Sequence, residues 1–260
     1  MNKTALITGA SSGIGRALAT IHAKAGGDLV IVARREKALQ ELKEVLERDY
    51  KINVFVIVKD LTKGNAVNDI YKVIQEEKIT IDFLINNAGF GGHGLFYERD
   101  WKEDLAMIQL NIVALTALSR KFLPDMVTRN SGRILNVSST ASLMSGPLQA
   151  VYFATKAYVT SFSNALAEEL RDTKVTVTNL MPGVTDTDFA NVSGMDKTAL
   201  FKNPFTPQEV AQAAYNGMLK GKLDVISGLT LSQKLMMKTI PITPKKLVLS
   251  QIRKMQEIKE

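Results

Sequence analysis

The sequence predicts an α/β domain, a parallel sheet with helices on both faces, and three observations carry that prediction. Short β-branched apolar runs alternate with longer amphipathic stretches, and each parallel crossover needs a covering helix. The first apolar run passes straight into a glycine-bearing turn and then a helical pattern, the opening unit of a doubly wound fold. At 260 residues, with 45% hydrophobic and 23% charged residues, the chain has ordinary globular composition and enough length to bury a sizeable core.

Taken in order, strands are expected at residues 4–8, 29–33, 54–58, 83–85, 133–137 and 175–180, with helices near 14–25, 35–49, 64–77, 100–126 and 150–171. No Pro/Gly/Ser-rich linker and no internal repeat interrupts this pattern before about residue 185, so residues 1–233 read as one domain. Between residues 186 and 203 periodicity fades while Phe189, Met195, Leu200 and Phe201 remain, which reads as a mobile flap (about 186–205) over a site. Order returns at Thr206-Pro207-Gln208-Glu209. There Thr206 can cap, Pro207 suits the first turn and Glu209 completes a capping box. The run Leu223-Asp224-Val225-Ile226-Ser227-Gly228 is followed by a basic, apolar tail, residues 234–260. Thr243-Pro244 can start a last helix with Val248, Ile252 and Met255 on one face.

Several function classes are excluded. With no cysteine there is no disulfide scaffold, thiolate metal site or cysteine nucleophile. Two histidines, His22 and His93, argue against a multi-histidine zinc site, and no metal is expected. The net charge is +7, but the tail carries seven lysines and arginines against two glutamates, leaving only +2 on residues 1–233. The body is nearly balanced and shows no nucleic-acid-binding signature, so no nucleic-acid partner is expected. The opening apolar run is too short for a secretory signal, and nothing later reads as long enough to span a bilayer; the expectation is a soluble cytoplasmic protein.

The turn Thr8-Gly9-Ala10-Ser11-Ser12-Gly13-Ile14-Gly15 has the chemistry of a pyrophosphate cradle. Glycines let an anion approach the backbone, and the next helix offers free N–H groups at its positive end. The same residues would also serve a tight strand-to-helix turn with no ligand. At the end of the second strand, an acid reads the ribose 2′-hydroxyl of NAD, whereas an arginine accommodates the 2′-phosphate of NADP. Here the acid position holds Ala33, followed by Arg34 and Arg35. A guanidinium fork suits phosphate, so NADP(H) is preferred over NAD(H); the alternative is a solvated helix start.

The sequence resembles the short-chain dehydrogenase/reductase family. The likeness rests on Thr8-Gly9-x3-Gly13-Ile14-Gly15, Asp60-Leu61-Thr62, Asn86-Asn87-Ala88-Gly89, Asn111, Ser138-Ser139, Tyr152-x3-Lys156 and Pro182-Gly183-x3-Thr187. They fall in family order over roughly residues 3–226, and the offsets fit: Asn111 precedes Ser139 by 28 residues, Ser139 precedes Tyr152 by 13, and Lys156 follows Tyr152 by 4. The resemblance implies a single-domain Rossmann fold binding NADP(H), with an Asn111-Ser139-Tyr152-Lys156 catalytic set. It places Gly9, Ser11, Ser12, Gly13, Ile14, Gly15, Arg34, Arg35, Asp60, Leu61, Asn87, Ala88 and Gly89 against the cofactor's phosphates, adenine and adenosine ribose. Pro182, Gly183, Thr185 and Thr187 fall to its nicotinamide side, Lys156 to the nicotinamide ribose, and Asn111 to a water relay.

The residue chemistry stands beside the likeness. Tyr152 and Lys156 share one helix face. A free tyrosine titrates near ~10, and a nearby ammonium lowers that value; reaching ~7 would require about 4 kcal/mol. Lys156 is the expected source. A tuned tyrosine acts as acid toward a carbonyl and as base toward an alcohol, and Ser139 at a strand end can donate to a developing alkoxide. Taken singly, Ser139 reads equally as a helix cap, Asn111 as a polar helix residue and Tyr152 as core. His93 lines the substrate pocket or is a solvated loop residue, while Met144 and Phe189 are pocket walls or packing. The expected function is hydride transfer between NADP(H) and a small carbonyl or alcohol substrate, with a mild lean to hydrophobic carbonyls. The alternative is a non-catalytic NADP(H)-binding sensor or scaffold. Family likeness implies a homodimer or homotetramer, but the tail puts the usual tetramer in doubt. That tail reads as a helix on its own domain, as a subunit contact or substrate lid, or as a peripheral membrane contact.

Overall fold

The computed structural model describes residues 3–194 and 204–257. Seven parallel strands form one sheet in the order β3-β2-β1-β4-β5-β6-β7. They are β1 (Ala5–Thr8), β2 (Leu29–Ala33), β3 (Val54–Val58), β4 (Phe83–Asn86), β5 (Gly132–Val137), β6 (Val175–Pro182) and β7 (Asp224–Ser227). The strand order reverses at β1, which pairs with β2 on one side and β4 on the other (Ala5 opposite both Leu29 and Phe83). A crevice at the carboxyl ends of the strands, at that reversal, is where open α/β sheets bind ligands.

Alternation along the strands sorts side chains between two layers. Ala5 and Ile7 face α1 (Gly13–Lys24), α2 (Glu36–Tyr50) and the helix Pro207–Leu219, with Leu18, Leu39, Leu42 and Val210 completing that layer. Leu6 and Leu84 face the opposite layer, with Ile70 and Ile74 of α3 (Ala66–Glu76) and Leu118, Phe122 and Met126 of a long helix after β4. Every residue of β2 is buried, which suits an inner parallel strand covered on both faces.

That long helix runs unbroken over Trp101–Thr128 as α4 (Trp101–Ile108), a π-helical turn (Gln109–Ala114) and α5 (Leu115–Thr128). It corrects one expectation. By length and composition it is apolar enough to cross a membrane, with a mean hydropathy of 1.2 in one eighteen-residue window. The reason is that a core helix under a parallel sheet needs an apolar face too: Met107, Leu115, Leu118, Phe122 and Met126 are buried inside the domain.

The helix α6 (Ala150–Glu169) covers β5 and β6. After β6, the segment read as a flap contains a short helix, α7 (Phe189–Ser193); Met195, Leu200 and Phe201 lie outside the described residues. The next helix, α8 (Pro207–Leu219), begins at the expected capping box: Thr206 Oγ1 accepts from the Glu209 amide, and Glu209 Oε2 accepts from the Thr206 amide. The tail holds two helices where one was expected. A second capping box at Thr230 starts α9 (Leu231–Thr239), which crosses residue 233, and a 3-10 turn (Ile240–Ile242) leads to α10 (Lys245–Gln256).

Candidate active site

The first strand ends in a turn whose glycines are required by conformation and space. Gly9 and Gly13 have φ of +69° and +54°, the left-handed region that glycine adopts without strain. At Gly15 a Cβ would collide with the Gly9 carbonyl oxygen and the Asn87 amide. The turn is tied to the end of β4: Thr8 Oγ1 accepts from the amides of Asn87 and Ala88 (both 3.0 Å), and Asn87 Nδ2 donates to the carbonyls of Thr8 (2.9 Å) and Gly9 (3.3 Å). Ser12 places no side-chain cap on α1, so the first-turn amides are left to an anion. A cradle of this shape, with glycines where side chains would intrude, fits a dinucleotide pyrophosphate.

Beside it, Arg34 and Arg35 differ in what they hold. Arg35 donates to Ser11 Oγ (3.2 Å) and to Asp188 (2.9 Å), bridging the glycine turn to the segment after β6. Arg34 has no ion-pair partner among the described residues and lines the same groove as Asp60. Burial raises the Asp60 carboxyl, but hydrogen bonds from Thr62 and the charge of Arg34 outweigh it and hold Asp60 below its ordinary value.

The reacting end is built by β5, α6 and the π-helical turn. Ser138 and Ser139 follow β5 with different duties: Ser138 Oγ donates to the Lys156 carbonyl (2.8 Å) and pairs with Thr160 (2.8 Å). Ser139 Oγ accepts from the Ala141 amide (3.1 Å), capping the 3-10 turn Thr140–Leu143, and bonds to Tyr152. Lys156 Nζ donates to the Val137 carbonyl (2.9 Å) and lies 5.9 Å from the centroid of the Tyr152 ring. Asn111 sits in the π-helical turn, an insertion of the kind that re-aims a helical side chain. Its Nδ2 donates to the Phe90 carbonyl (2.9 Å) and Thr155 Oγ1 (3.0 Å), and its Oδ1 accepts from the Phe90 amide (3.2 Å). A Cβ at Gly89 would come within 3.0 Å of Asn111 Oδ1 and 3.2 Å of Lys156 Nζ, so this glycine lets the two converge.

The electrostatics correct a second expectation. Burial pushes the Tyr152 hydroxyl up to about 12, opposed only by its hydrogen bond with Ser139. Burial likewise brings Lys156 down to about 8. The lysine does not lower the tyrosine here, because desolvation dominates and its ammonium is directed at the Val137 carbonyl. At neutral pH both groups are therefore mainly protonated.

One cavity of about 480 Å³ is lined by every predicted site residue except Gly15 and Asn111. Met144 and Phe189 are among its walls. His93 does neither of the things expected of it: its Nε2 bonds to the main-chain carbonyl of Gln256 (2.8 Å), tying the loop after β4 to the end of α10. Among the lining residues that sequence reasoning missed are Phe90, Phe153, Met237 and Gln256. Ile252 and Met255 had been placed on an apolar face, but which way that face turned was not legible; they also line the cavity.

A glycine-cradled nucleotide groove that opens onto a serine, a tyrosine and a lysine defines a dinucleotide-dependent oxidoreductase. The model of the short chain dehydrogenase family matches residues 3–198, and the chain belongs to that family. An NADP-dependent 3-hydroxy acid dehydrogenase of Schizosaccharomyces pombe is 34% identical over 218 residues, covering 81% of this chain and 84% of the relative. A short-chain dehydrogenase from Sphingobium yanoikuyae, solved in complex with NADPH, superposes with a TM-score of 0.83 at 30% identity, covering 98% of both chains. The bulky-bulky ketone specific alcohol dehydrogenase from Comamonas testosteroni gives a TM-score of 0.77 at 29% identity, covering 96% of this chain and 95% of that one. The protein is therefore a dehydrogenase, an oxidoreductase of that family.

Proposed function

We propose that the protein reduces a carbonyl to an alcohol with NADPH, and that Tyr152 is the proton donor. The observation that carries the reading is the Ser139–Tyr152 hydrogen bond at the cavity wall, with Lys156 one helical turn further on. NADPH, when bound, supplies the hydride that ends on the carbonyl carbon. Arg34, without an ion-pair partner among the described residues, takes its 2′-phosphate, and the glycine turn with the first amides of α1 takes its pyrophosphate. Ser139 holds the carbonyl oxygen by a hydrogen bond that strengthens as negative charge develops. Tyr152, protonated at neutral pH, delivers its proton to that oxygen. Lys156 then offers its charge to the phenolate left behind, and Asn111 keeps the Phe90 backbone and α6 in place around it. The reverse oxidation uses the same groups with the proton moving back.

Related proteins take both hydroxy acids and bulky ketones, so the family alone leaves the substrate open among secondary alcohols and ketones. The reaction is tested by following NADPH and NADH oxidation side by side over a panel of aldehydes and ketones, with wild type and Ser139→Ala. NADPH is expected to be preferred, and the variant to lose about 10²–10³ in kcat, the range for one lost oxyanion donor. An unchanged kcat in Ser139→Ala removes the serine from the mechanism.

A further inference from the structure

We propose that α10 is the substrate-recognition element and that the Gln256 carboxamide is its polar handle. The enzyme would then select neutral, apolar ketones that carry one hydrogen-bond donor away from the reacting carbonyl, and would disfavour carboxylates. This rests on the Ser139–Tyr152–Lys156 reading and extends it to the substrate.

Three observations support it. First, α10 packs on the reacting end itself: Val248 and Ile252 share one apolar cluster with Met107, Ala141, Tyr152 and Phe153. The end of the helix is anchored there by the bond from His93 to the Gln256 carbonyl. Second, Gln256 is only 1% exposed and lines the cavity, yet its side-chain Oε1 has no hydrogen-bond partner. It stands one helical turn beyond Ile252, about 6 Å further along α10. A carboxamide oxygen left unpaired in an apolar wall is costly unless a ligand completes it. Because the unpaired atom is an acceptor, a hydroxyl or an amide N–H on the substrate would satisfy it.

Third, the charges lie elsewhere. The substrate end is walled by Phe90, Met144, Phe153, Phe189, Met237 and Met255. Among the described residues lining the cavity, Arg34, Arg35, Lys59 and Asp60 stand at the ends of β2 and β3, and Asp188 is paired with Arg35. That leaves Lys156 as the charged group at the reacting end, buried and donating to Val137. A carboxylate bound here would be desolvated with no cation of its own among the described residues. A neutral ketone meets no such penalty.

The test compares kcat/KM for NADPH oxidation with three carbonyls of similar size: a cyclic ketone bearing a remote hydroxyl, the same ketone without it, and a 3-oxo carboxylate. Wild type should prefer the hydroxyketone to its deoxy analogue by about tenfold, carried by KM, as expected of one buried hydrogen bond. It should disfavour the carboxylate by at least about tenfold. In Gln256→Leu the hydroxyketone preference should collapse to about unity. Equal losses on both ketones would mark Gln256 as merely structural, and retention of the preference would remove it as the handle. A preference for the carboxylate overturns the substrate class using wild type alone, even if the variant fails to fold. Turnover with the wrong selectivity sinks only this inference, whereas no NADPH oxidation with any of the three sinks the Tyr152 reading beneath it.

Discussion

The two ends of the cavity are built by different means. At the cofactor end, the walls come from the carboxyl ends of β1, β2, β3 and β4, four neighbours in the sheet. They are fastened by short polar bonds: Thr8 Oγ1 takes two amides, and the Asn87 amide takes two carbonyls. At the substrate end, the walls come from Phe90, Met144, Phe189, Met237 and Ile252, far apart in the chain. Apolar contact holds them, with the His93–Gln256 bond as a polar tie to α10. The contrast follows from what each end must recognise. A dinucleotide presents fixed charges and hydroxyls, which directional backbone groups read well. An apolar substrate presents shape, and shape is read by packing that a substitution can remodel without disturbing the sheet.

If the two ends are separable, substitutions should divide cleanly between chemistry, cofactor and substrate. The largest effect is expected at Tyr152: Tyr152→Phe should lower kcat by about 10²–10⁴, the usual weight of a general acid, with NADPH affinity within a few-fold by fluorescence titration. A fully active variant would remove the tyrosine from the chemistry. Next comes Arg34→Glu, expected to weaken NADPH by about 10–100-fold through loss of a charge-assisted contact and repulsion of the phosphate. NADH should change by less than about threefold, and an equal response of the two cofactors would show that Arg34 does not read the 2′-phosphate.

Smaller still is Ile252→Ala, which removes wall from α10. The KM for a bulky ketone should rise about fivefold, with a stability loss of about 2 kcal/mol by chemical denaturation, at the low end for truncating an isoleucine near the surface. NADPH affinity should not move; if it does, the two ends are coupled. The smallest effect is in pH. Lys156 is charged below about 8 and neutral above it, so the kcat for carbonyl reduction should be halved near pH 8 and continue to fall with rising pH. Tyr152, held up at about 12, stays protonated throughout that range. A profile flat from pH 7 to 9 would show that the lysine's charge is not needed.

Much of this was legible in residue order. Strands 29–33 and 54–58 have the bounds that β2 and β3 show, because alternation of apolar runs and amphipathic stretches is a local signal. The glycines at 9, 13 and 15 announced a backbone turn, and Thr206–Glu209 announced a helix start, since capping and left-handed turns depend on a few adjacent residues. The second helix of the tail was missed although Thr230 and Gln233 carry the same kind of box, because its apolar periodicity is weak. The π-helical turn at Asn111 was hidden inside a segment whose pattern reads as one plain helix.

Residue order was thus enough for the class of fold, the nucleotide turn, and the four-residue spacing that puts Tyr152 and Lys156 on one face. Those features are set by the geometry of a single element and its caps. Three others needed the packed molecule: the direction of the Tyr152 shift, the partner of His93, and the turning of α10 onto the cavity. The shift is a desolvation effect, summed over every atom that excludes water from the hydroxyl, and those atoms come from distant segments. The placing of α10 depends on which apolar surface remains for it to cover once the sheet and its helices have closed.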